Sequence, residues 1–360
     1  MSHSQPHGEQ TVSQAGEEAV LAAIAAEIAD HNAARTNLDL GLGDDAAVVS
    51  FGHARVVMTT DTMAEGQDFR RSWWSDAPGW ATSVGIKAAA QNLSDINAMG
   101  SRTQALLVSL TLPPETPLAW VRDFYRGVIR ACRAPGAEDC LIAGGDLASG
   151  EKISITITAL GEAPDDGALL TRAGARPDDV VAVCGPLGLA AAGLALLERG
   201  GHGGDAEPGE GVRREAGQEL IRRCLTAQQR PEPPLTAGGA ALAAGATAGM
   251  DLSDGLLRDA QRLARASAVR IRLDDAELAA EAQSLHPVAE VLAAPAAHAL
   301  DWVLAGGEDY SLLATFGPEA ALPQGFRRIG TVTADASPRD GAAVITTHRT
   351  SGPGWDSVTG

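Results

Sequence analysis

"DVVAVCGPLGLAAAGLALLERG", residues 179–200, holds both element types of the fold side by side. Val180–Cys184 is a short apolar run closed by Gly185, which reads as a buried strand. The Leu- and Ala-rich run that follows Pro186 reads as a helix. Downstream, "ATAGMDLSDGLLRDAQRLARAS" (246–267) repeats the order of strand end, tight turn and helix, and "VLAGGEDYSLLATF" (303–316) is a turn leading into a strand. The Gly-rich, polar "GGHGGDAEPGEGVRREAG" (200–217) reads as a surface loop or insertion. Upstream, "ARVVMTTD", "QALLVSLTL", "CLIAGGD" and "KISITITALGE" are strand-like. Helical stretches at 16–31, 79–100 and 117–136 stand among them. The expected class is α/β (α+β) with two domains, residues 16–165 and 166–360, divided near "PDDGA" (164–168). Residues 1–15 are expected to be a disordered tail.

The chain has 360 residues, 45% hydrophobic and 21% charged, which is globular composition. Its net charge of −18 argues against a nucleic-acid surface, which needs a basic stripe. The polar N-terminus lacks a signal-peptide pattern, and no apolar run is long enough to span a membrane. The four cysteines form no CxxC pair and are expected to be buried free thiols. These features together predict a cytoplasmic protein.

"GLGDDAAVV" (41–49) sets Asp44 beside Asp45 with no Lys or Arg within five residues. Adjacent like charges repel, so they are either solvated or bridged by a cation. The pattern recurs. Asp61 ends a strand, Asp95 sits late in a helix, and Asp146 follows Gly-Gly. Asp251 and Asp254 flank a helix start, and Glu308 and Asp309 follow a second Gly-Gly. Each turn alone reads equally as a cap or turn residue, and "DLSDG" in particular as an N-cap through Ser253 or Asp254. Jointly they form an all-oxygen set suited to Mg²⁺ bridging to phosphates. No P-loop, dinucleotide fingerprint or Ser-His-Asp elbow is present. A site with few cationic side chains must neutralise phosphate charge with metal, which favours Mg²⁺-dominated phosphoryl transfer.

In this order, "GLGDDAAVV", "TTDT", "NLSDINAMG", "GGD", "LTRAGARPDD", "MDLSDGL" and "GGEDYSLL" resemble the thiamine-monophosphate kinase family over about residues 17–356. That family belongs to the superfamily of aminoimidazole-ribonucleotide synthetase and selenophosphate synthetase. The resemblance implies N-terminal domains that pair in a homodimer, their strands forming a barrel. It implies phosphorylation of thiamine phosphate to thiamine diphosphate by ATP with several Mg²⁺ ions. By motif it makes Asp44, Thr59, Thr60, Asp61, Asp95, Asp146, Asp251 and Asp254 metal ligands. Tyr125, Gly145, Asp146, Arg172 and Ser253 become nucleotide contacts, and Glu308 and Trp355 contacts to thiamine. Asp45 stays outside the pattern and is read as a partner that orients Asp44.

Two departures stand out. The family's "EGVHF" is "EGQDF" here, so Asp68 occupies the position of a substrate-contacting His. The family's GGD-Thr-Thr is "GGDLAS". No general base is expected, because the acceptor phosphate is already largely ionised near pH 7, with a second pKa of about 6. Two alternatives remain at this level: another ATP-dependent member of the superfamily, or a non-catalytic protein that binds a nucleotide or thiamine phosphate. The reactive Cys and nearby Lys that selenophosphate synthetase would need are missing from residues 1–43.

Overall fold

The computed structural model describes residues 10–41, 46–52, 55–74, 79–164, 167–199, 211–334 and 344–347, with the backbone alone for 211–216. They divide into two compact units. One comprises Met1–Asn92 and Thr103–Glu162, the other Leu93–Arg102 and Ala163–Gly360.

The first unit carries α1 (Val12–Ala15), α2 (Glu17–Ala33), β1 (Leu38–Leu40), β2 (Val48–Val49) and β3 (Val56–Ala64). Then follow α3 (Trp80–Ala98), whose last turns belong to the other unit, β4 (Arg102–Leu112), α4 (Leu118–Ala131), β5 (Leu141–Ser149) and β6 (Ser154–Glu162). Four strands form one sheet in the order β3-β6-β4-β5. β3 and β6 pair antiparallel from Val56↔Glu162 to Ala64↔Ser154. Ile155, Ile157 and Ala159 of β6 are buried, while the alternate residues are half-buried. On the other side of the pleat Thr60 bonds Thr158 (3.0 Å) and Thr62 bonds Thr156 (2.8 Å). Met58 on that side is 68% exposed. α4 turns Trp120, Val121, Phe124, Tyr125 and Val128 inward, the spacing of an apolar helical stripe.

Two expectations are corrected here. Thr11–Ala15 is ordered, because Thr11 and Gln14 form a capping box on α1. Residues 1–9 of the predicted tail lie outside the described residues. The Gly-Gly before Asp146 is not a turn, since β5 continues through it after a register shift at Ala143. Gly145 faces Val108 across the parallel β4/β5 pair, where a Cβ would lie 1.8 Å from the Val108 carbonyl oxygen. Close backbone approach, not a reversal, requires glycine there.

The second unit carries β7 (Val180–Cys184), α5 (Leu189–Glu198), α6 (Gly211–Gln229), α7 (Ala237–Ala243), β8 (Ala248–Leu252) and α8 (Leu256–Ala266). β9 (Arg270–Leu273), α9 (Asp275–Val291), α10 (Ala297–Ala305), β10 (Ser311–Phe316), β11 (Phe326–Thr333) and β12 (Val344–Ile345) complete it. The sheet order is β12-β9-β11-β7-β10-β8. Val181 and Val183 of β7 join one apolar cluster with Leu252, Leu263 and Leu313, while Ala182 and Cys184 join another with Leu170, Ala241 and Phe316. Burial on both faces explains why β7 reads as an unbroken apolar run. Helix α6 begins at Gly211, inside the stretch expected to be loop; residues 200–210 lie outside the described residues. The expected boundary residues Asp165 and Asp166 do so too. All four cysteines are free and buried.

Candidate active site

In the first unit, strand alternation sets Thr59 and Asp61 on one face of β3 and Thr60 on the other. The Thr60 hydroxyl lies within hydrogen-bond distance of Ile157 O (3.2 Å) and Thr158 Oγ1. Asp146, exposed on β5 opposite Ser109, stands on the other edge strand of the sheet from Asp61. Three strand spacings, about 14 Å along a flat sheet, separate those edges. Tyr125 is buried in α4, edge-on to Phe124 at 5.4 Å, and burial pushes its hydroxyl pKa far up.

The 64–69 turn is tightly tied. Asp68 Oδ2 accepts the Ala64 amide at 2.6 Å, and the Asp68 amide donates back to Ala64 O at 3.0 Å. Lys87, only 1% exposed, donates its ammonium to Asp68 O at 2.9 Å and lies over the Trp73 ring. Arg71 pairs with Glu65 at 2.7 Å, while Arg70 is exposed beside Trp73. The Asp68 carboxylate thus bonds the backbone of its own turn, and the guanidiniums of Arg70, which donates to Gly66 O at 3.4 Å, and of Arg71 are both exposed.

In the second unit, β8 ends on Asp251 and Leu252, and pairing of β8 with β10 (Leu252↔Ser311, Asp251↔Leu312) stacks the two acidic turns that follow and precede them. The Glu308 amide donates to Ser253 O at 2.8 Å, and the Tyr310 amide to Leu252 O at 3.0 Å. Glu308 and Tyr310 hold positive φ, 66° and 49°. Such strain in non-glycine residues clusters at functional turns. Buried Asp251 accepts the hydroxyl of buried Ser94 at 3.1 Å, which brings α3, with half-buried Asp95 next to Ser94, to the end of β8. Gln228 donates its amide to Glu308 Oε2 at 2.6 Å.

Three further acidic residues here are engaged within the unit. Asp309 is buried and caps α5, its two oxygens accepting the Gly188 and Ala190 amides. Burial raises its pKa to about 7, against the pull of those two amides. Asp254 does not cap α8, whose N-cap is Gly255 without a side-chain bond. Its carboxylate meets Arg262 at 2.6 Å and its amide donates to Asp259 at 2.9 Å. Asp259 is fully buried, and burial lifts its pKa to about 6. Ser94, Gln228, Asp259 and Arg262 escaped the sequence reading; the i,i+3 spacing of Asp259 and Arg262 on a helix was the one local signal.

Arg172 is exposed, its carbonyl accepting Ser267 Oγ at 2.8 Å. Asp44, Asp45 and Trp355 lie outside the described residues. Among the described residues, no three His, Cys, Asp or Glu side chains gather to hold a metal ion. No helix among them is long and apolar enough to cross a membrane.

The family model "AIR synthase related protein, N-terminal domain" matches residues 43–163. A thiamine-monophosphate kinase of Mycobacterium tuberculosis (strain H37Rv) is 41% identical over 294 residues, 81% of this chain and 79% of that relative. The chain belongs to the thiamine-monophosphate kinase family. A solved structure of that family from Stenotrophomonas maltophilia K279a superposes with TM-score 0.69 at 29% identity, covering 89% of this chain and 95% of that one. Another, described as "AaThiL complexed with AMPPCP and TMP", superposes with TM-score 0.67 at 29% identity over 95% and 96%. Membership in the thiamine-monophosphate kinase family agrees with the fold expected from the motifs.

Proposed function

We infer that the protein phosphorylates thiamine phosphate to thiamine diphosphate with ATP. One observation carries the reading: the Ser253–Asp254 turn stacks on the Glu308 turn through the 2.8 Å Glu308–Ser253 bond. If Ser253 contacts the nucleotide and Glu308 the thiamine moiety, as the family motifs imply, this bond would keep the two contacts adjacent. The "AMPPCP and TMP" complex of the similar chain supports the same pair of ligands.

In the reaction an oxygen of the thiamine-phosphate monoester attacks the γ-phosphorus of ATP. The bond to the β,γ-bridging oxygen breaks, and ADP leaves. The attacking oxygen is already an anion, so no side chain need take its proton. The barrier is one of charge and alignment. The donor set fits Mg²⁺: all the proposed ligands are oxygen donors, and Asp251 is already oriented by Ser94. Asp44, Asp61, Asp95, Asp146, Asp251 and Asp254 would hold the ions, with Thr59; the Thr60 hydroxyl lies on the opposite face of β3 from Asp61 and is engaged by Ile157 O and Thr158, which sets it apart from them. Bound Mg²⁺ would offset the charge of the two phosphate groups and of the transition state. Gln228 fixes the Glu308 carboxylate proposed to contact thiamine, and within the 64–71 segment the Arg70 or Arg71 guanidinium is proposed to supply the donor that the family's His would give. The working unit is proposed to be a cytoplasmic homodimer, the exposed Met58 face of the first unit's sheet meeting a second copy.

Incubation with ATP, MgCl₂ and thiamine phosphate, followed by chromatography, tests the reading. Thiamine diphosphate should form and should vanish in excess chelator. ATP consumption without that product would refute the substrate, and full turnover in chelator would refute the metal.

A further inference from the structure

Asp254 stands at the entrance to α8 as one of the carboxylates proposed to hold metal, yet it already faces a cation. Arg262 Nη2 lies 2.6 Å from Asp254 Oδ2, and Arg258 Nε lies 3.8 Å from the same oxygen. The other arm of the Arg262 fork, Nη1, donates to Asp259 Oδ1 at 2.7 Å. The second oxygen of Asp259 accepts the Asp254 amide at 2.9 Å. The ring is closed: Asp254 backbone to Asp259, Asp259 to Arg262, and Arg262 back to the Asp254 side chain.

The two arms have different surroundings. Asp259 is 0% exposed, so its carboxylate needs a partner to be held in the interior. Arg262 supplies that partner, and the rigid guanidinium fork then aims its free arm at Asp254. The Asp254 side chain keeps 14% of its surface exposed, open to a second cation. A divalent ion there must share or displace the guanidinium, because both draw on the same carboxylate charge.

We propose that Arg262, anchored by Asp259, is a positioning residue that serves as the internal counter-ion of Asp254 and competes with the divalent cation for it. In the absence of metal it holds the carboxylate in one orientation. When metal binds, the contact weakens. Arg262 thereby sets how much free Mg²⁺ this position requires. The inference rests on the metal reading of the proposed function.

The test uses Mn²⁺ alone as the probe, its binding to the full-length protein followed by electron paramagnetic resonance without ATP or turnover. Arg262→Met would strand a buried charge, so the primary variant is Asp259→Asn with Arg262→Met. The introduced asparagine keeps an acceptor for the Asp254 amide while removing the charge that Arg262 balances. Loss of one charged hydrogen bond at a half-exposed site predicts Mn²⁺ binding tighter by about tenfold. Arg262→Lys, which keeps the charge, should restore affinity to near the wild-type value. In an Asp254→Asn background the double substitution should change nothing. A lower melting temperature with unchanged Mn²⁺ affinity would make Arg262 purely structural and overturn the proposal, as would weaker binding. Absence of any saturable Mn²⁺ binding by the wild type would overturn the metal reading itself, and the proposal with it. The two failures are thus distinguishable.

Discussion

Replacing Asp309 by Asn should reverse part of the pH dependence of folding. Asp309 is buried beneath the first turn of α5, its oxygens bonded to the Gly188 and Ala190 amides. Desolvation is the largest influence on it and raises its folded pKa from 3.8 to about 7; neighbouring Glu308 adds to the rise, and Arg327 opposes it. The folded value lies above the unfolded one, so between those pH values the folded chain binds the extra proton. Stability from this group is complete below about pH 4 and is lost as pH rises through about 7. From pH 5 to 7 the loss is about 2 kcal/mol, the slope of about 1.36 kcal/mol per unit falling to half at the folded pKa. Asn cannot ionise and lacks this slope, while the other titrating groups cancel in a comparison. The assay is denaturant unfolding of both chains at pH 5, 6, 7 and 8. The unfolding free energy of the wild type minus that of Asp309→Asn should fall by about 2 kcal/mol from pH 5 to 7 and flatten above pH 8. A difference that is flat or rising with pH would refute the reasoning.

Asp251→Asn or Asp95→Asn should lower kcat by orders of magnitude while the melting curve stays close to wild type, since the Ser94 bond to residue 251 can persist to an amide oxygen; a destabilised variant with normal turnover would return them to turn residues. Asp68→Ala should cost about 1–2 kcal/mol of stability through the lost Ala64 bond, whereas Asp68→His should shift the thiamine-phosphate KM by less than about tenfold and Arg70→Ala by more. Normal KM in Arg70→Ala with no turnover in Asp68→Ala would reverse those roles. Light scattering at micromolar concentration should give twice the monomer mass, and Met58→Glu should halve it; a monomeric wild type contradicts the dimer.

Elements whose burial is set by their own periodicity were legible in the chain. Leu256, Ala260, Leu263 and Ala264 recur at helical spacing, and α8 lies where that spacing ends it. β7 and β10, covered on both faces, stand out as apolar runs. The motif order was likewise sufficient to place the chain in its family. The Gly144–Gly145 pair misled while Gly306–Gly307 did lead into a turn, because glycine marks both a reversal and a close approach, and only the Val108 carbonyl opposite Gly145 distinguishes them.

The acidic residues divide in the same way. Their identity and adjacency to strand ends are properties of the sequence, and so is the inference that so many carboxylates without local cations call for metal. Which of them are already spoken for was decided by the tertiary structure alone. Asp309 finds its amides more than a hundred residues away at Gly188 and Ala190, Asp251 finds Ser94, and Glu308 finds Gln228. A carboxylate's role depends on the donors that packing brings within about 3 Å of its oxygens, and contacts between distant segments leave no periodic trace in the chain.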